Sequence, residues 1–209
     1  LLFGKTVGVG GSFDTNHSYA KDIVVGDLSA ILMRELPFWV RHRRAPRLET
    51  ATINTWEQKL EELAKESLSE DIRAIAGVPS WSQLFIKKVI EISGKKSIYD
   101  IWPNFEIFFH GGVSLDPDRS SFRGILGENF HYEELYNASE GFFAIQDQPR
   151  RAKELLLMLD YHIFYEFIPF SEIQNQKPQT LMIHQVEIGK PYALVITTSG
   201  GLWRYVIGD

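Results

Sequence analysis

Apolar residues recur at helical spacing over residues 27–36, and Pro37 closes the run. A second helix is signalled from Thr55, where Thr55 and Gln58 have the form of a capping box, and Trp56, Leu60, Leu63 and Ala64 repeat at helical spacing up to Leu68. Residues 72–76 read as a short strand ending at Gly77. Ser80 with Gln83 then predicts the start of a helix running through Ile92, with Gly94 as its stop. "FEIFFHGG" is a strand that breaks on two glycines, "DPDRSSFRGILG" a short helix, and "HYEELYNA" a further strand. Strand, helix, strand, helix, strand over 72–138 predicts parallel strands joined by crossovers. Ligands of such sheets bind beyond the carboxyl ends of the strands, and "HGGVS" and "NASEG" stand at two such ends.

After Phe142 the pattern changes. "GFFAIQD", "ELLLMLD", "IFYEFIPF", "YALVITTS" and "LWRYVIGD" are β-rich runs with no room for long helices between most of them, which predicts antiparallel pairing. The expected fold class is α/β with mixed sheets: a parallel βαβ portion in the first two thirds, then an antiparallel β-rich portion. The expected division is 1–141 and 142–209.

Composition narrows the class. The chain has 209 residues, 44% hydrophobic and 13% aromatic, enough to bury a sizeable core. Its net charge of −5 gives no general attraction to nucleic acid or to an anionic membrane. The run from Arg41 to Arg47 reads as a solvated loop rather than a phosphate patch, since no aromatic alternates with its charges. There is no cysteine, hence no disulfide framework or thiolate zinc site, and no apolar run approaches the roughly 20 residues of a membrane span. A cytoplasmic location is the expectation. The chain opens without methionine and stops on "RYVIGD", so it reads as a piece of a larger protein.

Familiar catalytic motifs are absent. There is no G-x-x-x-x-G-K-[ST] loop, and Gly8, Gly10 and Gly11 miss the dinucleotide fingerprint because Phe13 takes the third position. Histidines 17, 42, 110, 131, 162 and 184 never pair at metal-ligand spacing, and G-x-S-x-G does not occur. What remains lies at strand ends. "HGGVS" offers two glycines for close approach of a flat heterocycle, with His110 at the rim. "YNASEG" offers Tyr136, whose ring can stack on such a heterocycle, and Glu140, a hard oxygen ligand suited to magnesium on phosphates. Asp209 can accept both hydroxyls of a ribose. Together these describe an ATP site, although Glu140 by itself reads equally as a turn cap.

"FFHGGVS", "YNASEGFFAIQD", "LWRYVIGD", "GDLSAIL" and "GVPSW" resemble, in the same order, the plant auxin-responsive acyl-acid amidosynthetases and their bacterial relatives. These are a branch of the adenylate-forming superfamily that includes acyl-CoA synthetases and firefly luciferase. The resemblance implies part of the large N-terminal domain of such an enzyme, ATP-dependent activation of a small carboxylic acid to an acyl-adenylate, and transfer of the acyl group to an amine or amino acid. It implies ATP and Mg2+, with Glu140 as the catalytic magnesium ligand and Asp209 on the ribose. Gly111, Gly112, Val113 and Ser114 would border the adenine, and Tyr136, Asn137, Ala138 and Ser139 would complete the nucleotide motif, with Asn137-Ala138 in place of the plant spelling. Candidate acyl-pocket residues are Val78, Trp81, His110, Phe142 and Phe143, for which plain core packing is the alternative. The resemblance also implies that the phosphate loop lies upstream and the mobile C-terminal domain downstream, so these residues alone are expected not to turn over. The competing reading is a noncatalytic module of the same fold that binds a nucleotide or small molecule.

Overall fold

The computed structural model describes residues 4–14, 23, 25–148 and 154–208. Two compact units emerge, Leu1–Ser139 with Ala144–Leu156, and Glu140–Phe143 with Leu157–Asp209.

The first unit is built on parallel strands. In chain order its elements are β1 (Lys5–Val9), β2 (Phe13–Asp14), β3 (Val25–Gly26), α1 (Leu28–Glu35), α2 (Phe38–Arg41), β4 (Arg44–Ala45), α3 (Leu48–Ala51), α4 (Trp56–Ser67), β5 (Ile72–Gly77), α5 (Pro79–Ser93), β6 (Ile107–Gly111), α6 (Arg119–Leu126) and β7 (His131–Ala138). With β8 (Gly141–Ile145) and β9 (Leu156–Leu157) the sheet order is β4-β1-β5-β6-β7-β8-β9, and residues 144–145 and 156 of the last two strands belong to this unit. The pairs β1–β4, β1–β5, β5–β6 and β6–β7 are all parallel, as the strand–helix alternation predicts.

Burial explains the elements. Ile72, Ala74 and Ile75 of β5 are all inaccessible, the mark of a strand covered on both faces. Along α5 the buried residues Ser82, Phe85, Ile86 and Val89 form one stripe at helical spacing. Trp102, fully buried, stacks on Phe85 and donates its indole N–H to the Ser67 carbonyl at 2.9 Å. Gly94 ends α5 in the left-handed conformation (φ 65°), as expected of a glycine stop.

Three local expectations are corrected. Thr55 is the N-cap of α4, but its side chain makes no capping bond, so the box with Gln58 does not form. The helix expected from Ser80 begins instead at Pro79, whose fixed φ and missing N–H suit the first helical position, with Val78 as N-cap. The basic run 41–47 is not a solvated loop, because β4 lies within it and pairs Thr6 with Arg44 and Val7 with Ala45. Ala45 is buried there, and burial lowers the pKa of the Arg44 guanidinium from its ordinary value.

The second unit is antiparallel, as expected. β10 (Ile163–Pro169) pairs along its length with β11 (Tyr192–Thr198), and β11 with β12 (Tyr205–Val206). Ile168, Ala193 and Val195 form its small core. The strands expected in "ELLLMLD" and "LWRYVIGD" shorten to two residues each, β9 and β12.

Candidate active site

The parallel register sets four residues abreast at the carboxyl end of the sheet. Val9 pairs with Gly77, Gly77 with His110, and His110 with Glu134. Gly77 is required by crowding: a Cβ there would stand 2.7 Å from the Val9 carbonyl and 3.1 Å from Ser82 Oγ. Gly111 is required for the same reason on the β7 side, where its Cβ would meet the Leu135 carbonyl at 2.5 Å and Asn137 Oδ1 at 3.0 Å. Gly112, exposed and at φ 80°, is open by contrast, with only a Val78 methyl 3.8 Å from the Cβ it lacks. Val113 and Ser114 are likewise exposed, and Ser114 Oγ accepts the Asp116 N–H.

The expected nucleotide and acyl residues fall as follows. Tyr136, Asn137 and Ala138 are the last residues of β7, and Ser139 and Glu140 form the tight turn into β8. Glu140 is half-buried and makes no ion pair among the described residues. Trp81 is 40% exposed beside Trp56 (ring centroids 5.3 Å apart), so plain core packing does not account for it. Phe143, by contrast, is wholly buried, and Phe142 packs its ring 5.9 Å from Tyr161. Val78, Trp81, His110, residues 111–114 and residues 136–139 belong to the first unit, whereas Glu140, Phe142 and Phe143 belong to the second. Asp209 lies outside the described residues. Among the described residues no group of three or more acidic, histidine or cysteine side chains is arranged to hold a metal, and no helix is long and apolar enough to cross a membrane.

Three features escape sequence reasoning. Lys59, on the buried side of α4, donates to the carbonyls of Gly10 and Gly11, both at 2.7 Å, and to Ser12 Oγ at 3.3 Å. Gly11 N–H in turn donates to Ser29 Oγ and Ser12 N–H to Asp27, so the Gly-Gly-Ser loop after β1 is held from α4 and from α1 with its N-cap. Burial lowers the Lys59 pKa, and the Asp27 charge opposes that shift. The available signal was a lysine four residues before Leu63, on the stripe that packs inward. In the second unit Arg204, at φ 46°, donates from Nε and Nη2 to the two oxygens of Glu166, each at 3.0 Å. Thr180 also donates to Glu166, at 2.8 Å, and fixes the carboxylate. This bidentate pair ties the chain just before β12, and nothing local in the sequence marks it. Third, Glu134 beside His110 has its carboxyl pKa raised by burial and by Asp116, against the Arg119 charge.

His110 is buried on β6, and its Nδ1 has no partner among the described residues. Burial, with a smaller push from Arg119, lowers its pKa to about 4, so the imidazole is neutral at pH 7. In the unfolded chain the ring titrates near 6.5, so between these values the unfolded state binds a proton that the folded state refuses. Folding stability from this group is therefore lost as pH falls from about 6.5 to about 4. Urea midpoints across that window are expected to fall less steeply in His110→Phe than in the wild type; superimposable slopes would contradict this.

Comparison with known proteins agrees with this architecture. The GH3 family N-terminal domain matches residues 12–129, and the GH3 family central domain matches residues 156–209. The chain is 35% identical over 77 residues, 36% of its length and 13% of the relative's, to the indole-3-acetic acid-amido synthetase GH3.3 of Arabidopsis thaliana. Identity to the jasmonoyl–L-amino acid synthetase JAR4 of Nicotiana attenuata is 28% over 118 residues, 54% of this chain and 20% of that one. In fold it is similar to the AtGH3.15 acyl acid amido synthetase in complex with 2,4-DB, with a TM-score of 0.71 at 13% identity, covering 99% of this chain and 44% of that one. The chain thus spans less than half the length of each of these relatives. The N-terminal domain match alone takes in more than half of the chain, and the chain belongs to the GH3 family.

Proposed function

We propose that the full-length protein is an ATP-dependent acyl-acid amido synthetase. In the first half-reaction a carboxylate oxygen attacks the α-phosphorus of ATP, the bond to the bridging oxygen breaks, and pyrophosphate leaves. In the second an amine nitrogen attacks the acyl carbon, loses its proton, and releases AMP. The observation that carries this reading is Glu140: a half-buried carboxylate in the β7–β8 turn, without an ion pair among the described residues, following Tyr136 and preceding Gly141 in the order the family uses.

Both reactants are anions, so the site must offset charge while holding an in-line approach. Magnesium bound to the phosphates supplies that charge. A single protein carboxylate, Glu140, would hold it, because Mg2+ on a nucleotide takes most of its ligands from phosphate and water. In this reading the exposed residues 112–114 border the adenine beside Gly111, and Tyr136, Asn137, Ala138 and Ser139 line its other side. Asp209 holds the ribose, and the Arg204–Glu166 pair orients the strand that precedes it. Val78, Trp81, His110, Phe142 and Phe143 receive the acyl group. The relatives named for indole-3-acetic acid and jasmonoyl conjugates make small carboxylic acids the substrate class and amino acids the acceptors to test first.

The reading is tested by acid-dependent exchange of pyrophosphate into ATP on the full-length protein. Glu140→Ala is expected to lower exchange by about 100-fold, the loss of about 2.7 kcal/mol of charge stabilisation. No acid supporting exchange in the wild type, although ATP still raises its Tm, would leave nucleotide binding without catalysis. For the positioning role of Arg204, Arg204→Met is expected to raise KM for ATP by roughly tenfold with KM for the acid held, and Arg204→Lys not to rescue it because an ammonium lacks the bidentate fork. Equal rises in both KM values would mark a general loss of structure instead.

A further inference from the structure

The carboxyl end of the parallel sheet holds buried polar groups to which a carboxylate and ATP alone assign no hydrogen bond. Ser82 is fully buried and His110 is 3% exposed, and neither Ser82 Oγ nor His110 Nδ1 has a hydrogen-bond partner among the described residues. The two share one face of the sheet. Register partners in parallel strands project their side chains to the same side; Gly77 and His110 are partners, and Ser82 Oγ fills the place 3.1 Å from the Cβ that Gly77 lacks. Glu134, the partner of His110 on the opposite flank, adds a carboxylate to the same face. Buried hydroxyls and imidazole nitrogens are costly when unpaired, and in folded proteins they meet a ligand or a water. The row ends next to exposed chain. His110 is followed by two glycines, and the exposed Gly112 leaves only a Val78 methyl near its missing side chain.

We propose that Ser82, His110 and Glu134 form a hydroxyl-recognition subsite, so that the acid this protein activates carries a hydroxyl group in addition to its carboxylate. A hydroxyl both donates and accepts, which suits a serine oxygen, an imidazole nitrogen and a carboxylate held together. A plain hydrocarbon would leave Ser82 and His110 unpaired, and a second carboxylate would face Glu134 and Asp116. The assignment of this ligand as the acyl substrate rests on the amido synthetase reading; the hydroxyl preference can be measured without it.

Acids that differ by one hydroxyl serve as probes on the full-length protein: phenylacetate with 3-hydroxyphenylacetate, and indole-3-acetate with 5-hydroxyindole-3-acetate. In calorimetry without nucleotide, the hydroxylated member of at least one pair is expected to bind about tenfold tighter, the worth of one to two neutral hydrogen bonds. In pyrophosphate exchange the same preference is expected in KM rather than kcat. Ser82→Ala and His110→Phe should each pull the ratio toward one, and Ser82→Ala should not lower Tm, since its hydroxyl bonds nothing within the described fold. Equal or absent binding of both members in every pair, or a preference untouched by Ser82→Ala, overturns the subsite and leaves a water as its occupant. A calorimetric preference lost in Ser82→Ala, with no acid-dependent exchange, keeps the subsite and removes the amido synthetase reading instead.

Discussion

The parallel register across β1, β5, β6 and β7 is the constraint on which the first unit turns. It aligns Val9, Gly77, His110 and Glu134 in one row, and each neighbour then limits the next. Gly77 has no side chain because the Val9 carbonyl and Ser82 Oγ occupy its space; Gly111 has none because Leu135 and Asn137 approach too closely. A one-residue slip in any of these pairs would exchange the faces of the sheet and bring a side chain into a gap closed by backbone. The carboxyl end is thus shaped by close packing of main chain, and residues 112–114, which follow β6, stand exposed beyond it.

Charge does the work at the edges that apolar packing does at the centre. Lys59 binds two consecutive carbonyls after β1, where a glycine loop offers nothing hydrophobic to hold, and Glu166 with Arg204 does the same for the segment entering β12. In each case a buried charge has its partners fully arranged, the condition under which burial of an ion is tolerated. Both clamps hold loops at strand ends, where rigidity matters for a site and core packing cannot supply it.

The elements of the first unit are legible in the sequence where runs are cleanly punctuated: α5, β6, α6 and β7 follow from the alternation of strand-like and helix-like runs and from the glycine breaks at 94 and 111–112. Capping is not, because Thr55 and Ser80 have the right identity for bonds that the backbone does not present to them. β4 hides inside a basic run since its two residues are placed by pairing with β1, a long-range contact. For the candidate site, strand-end motifs bring Glu140 and Gly112 forward and the family resemblance brings Val78, but Ser82 reads as one more polar helix residue until Gly77 is seen beneath it. Glu134, Lys59 and Arg204 acquire meaning only from partners 24 to 49 residues away or on a neighbouring strand.

The central claim is that a carboxylate is activated at the α-phosphate of ATP, and isotope transfer tests it most directly. The full-length protein is supplied with ATP, an amino acid and an acid labelled with 18O in its carboxylate, and the products are weighed by mass spectrometry. Attack on the α-phosphorus requires one labelled oxygen in AMP for each amide formed. Label appearing in inorganic phosphate, with ADP as co-product, would contradict adenylation and place the activation at the γ-phosphate.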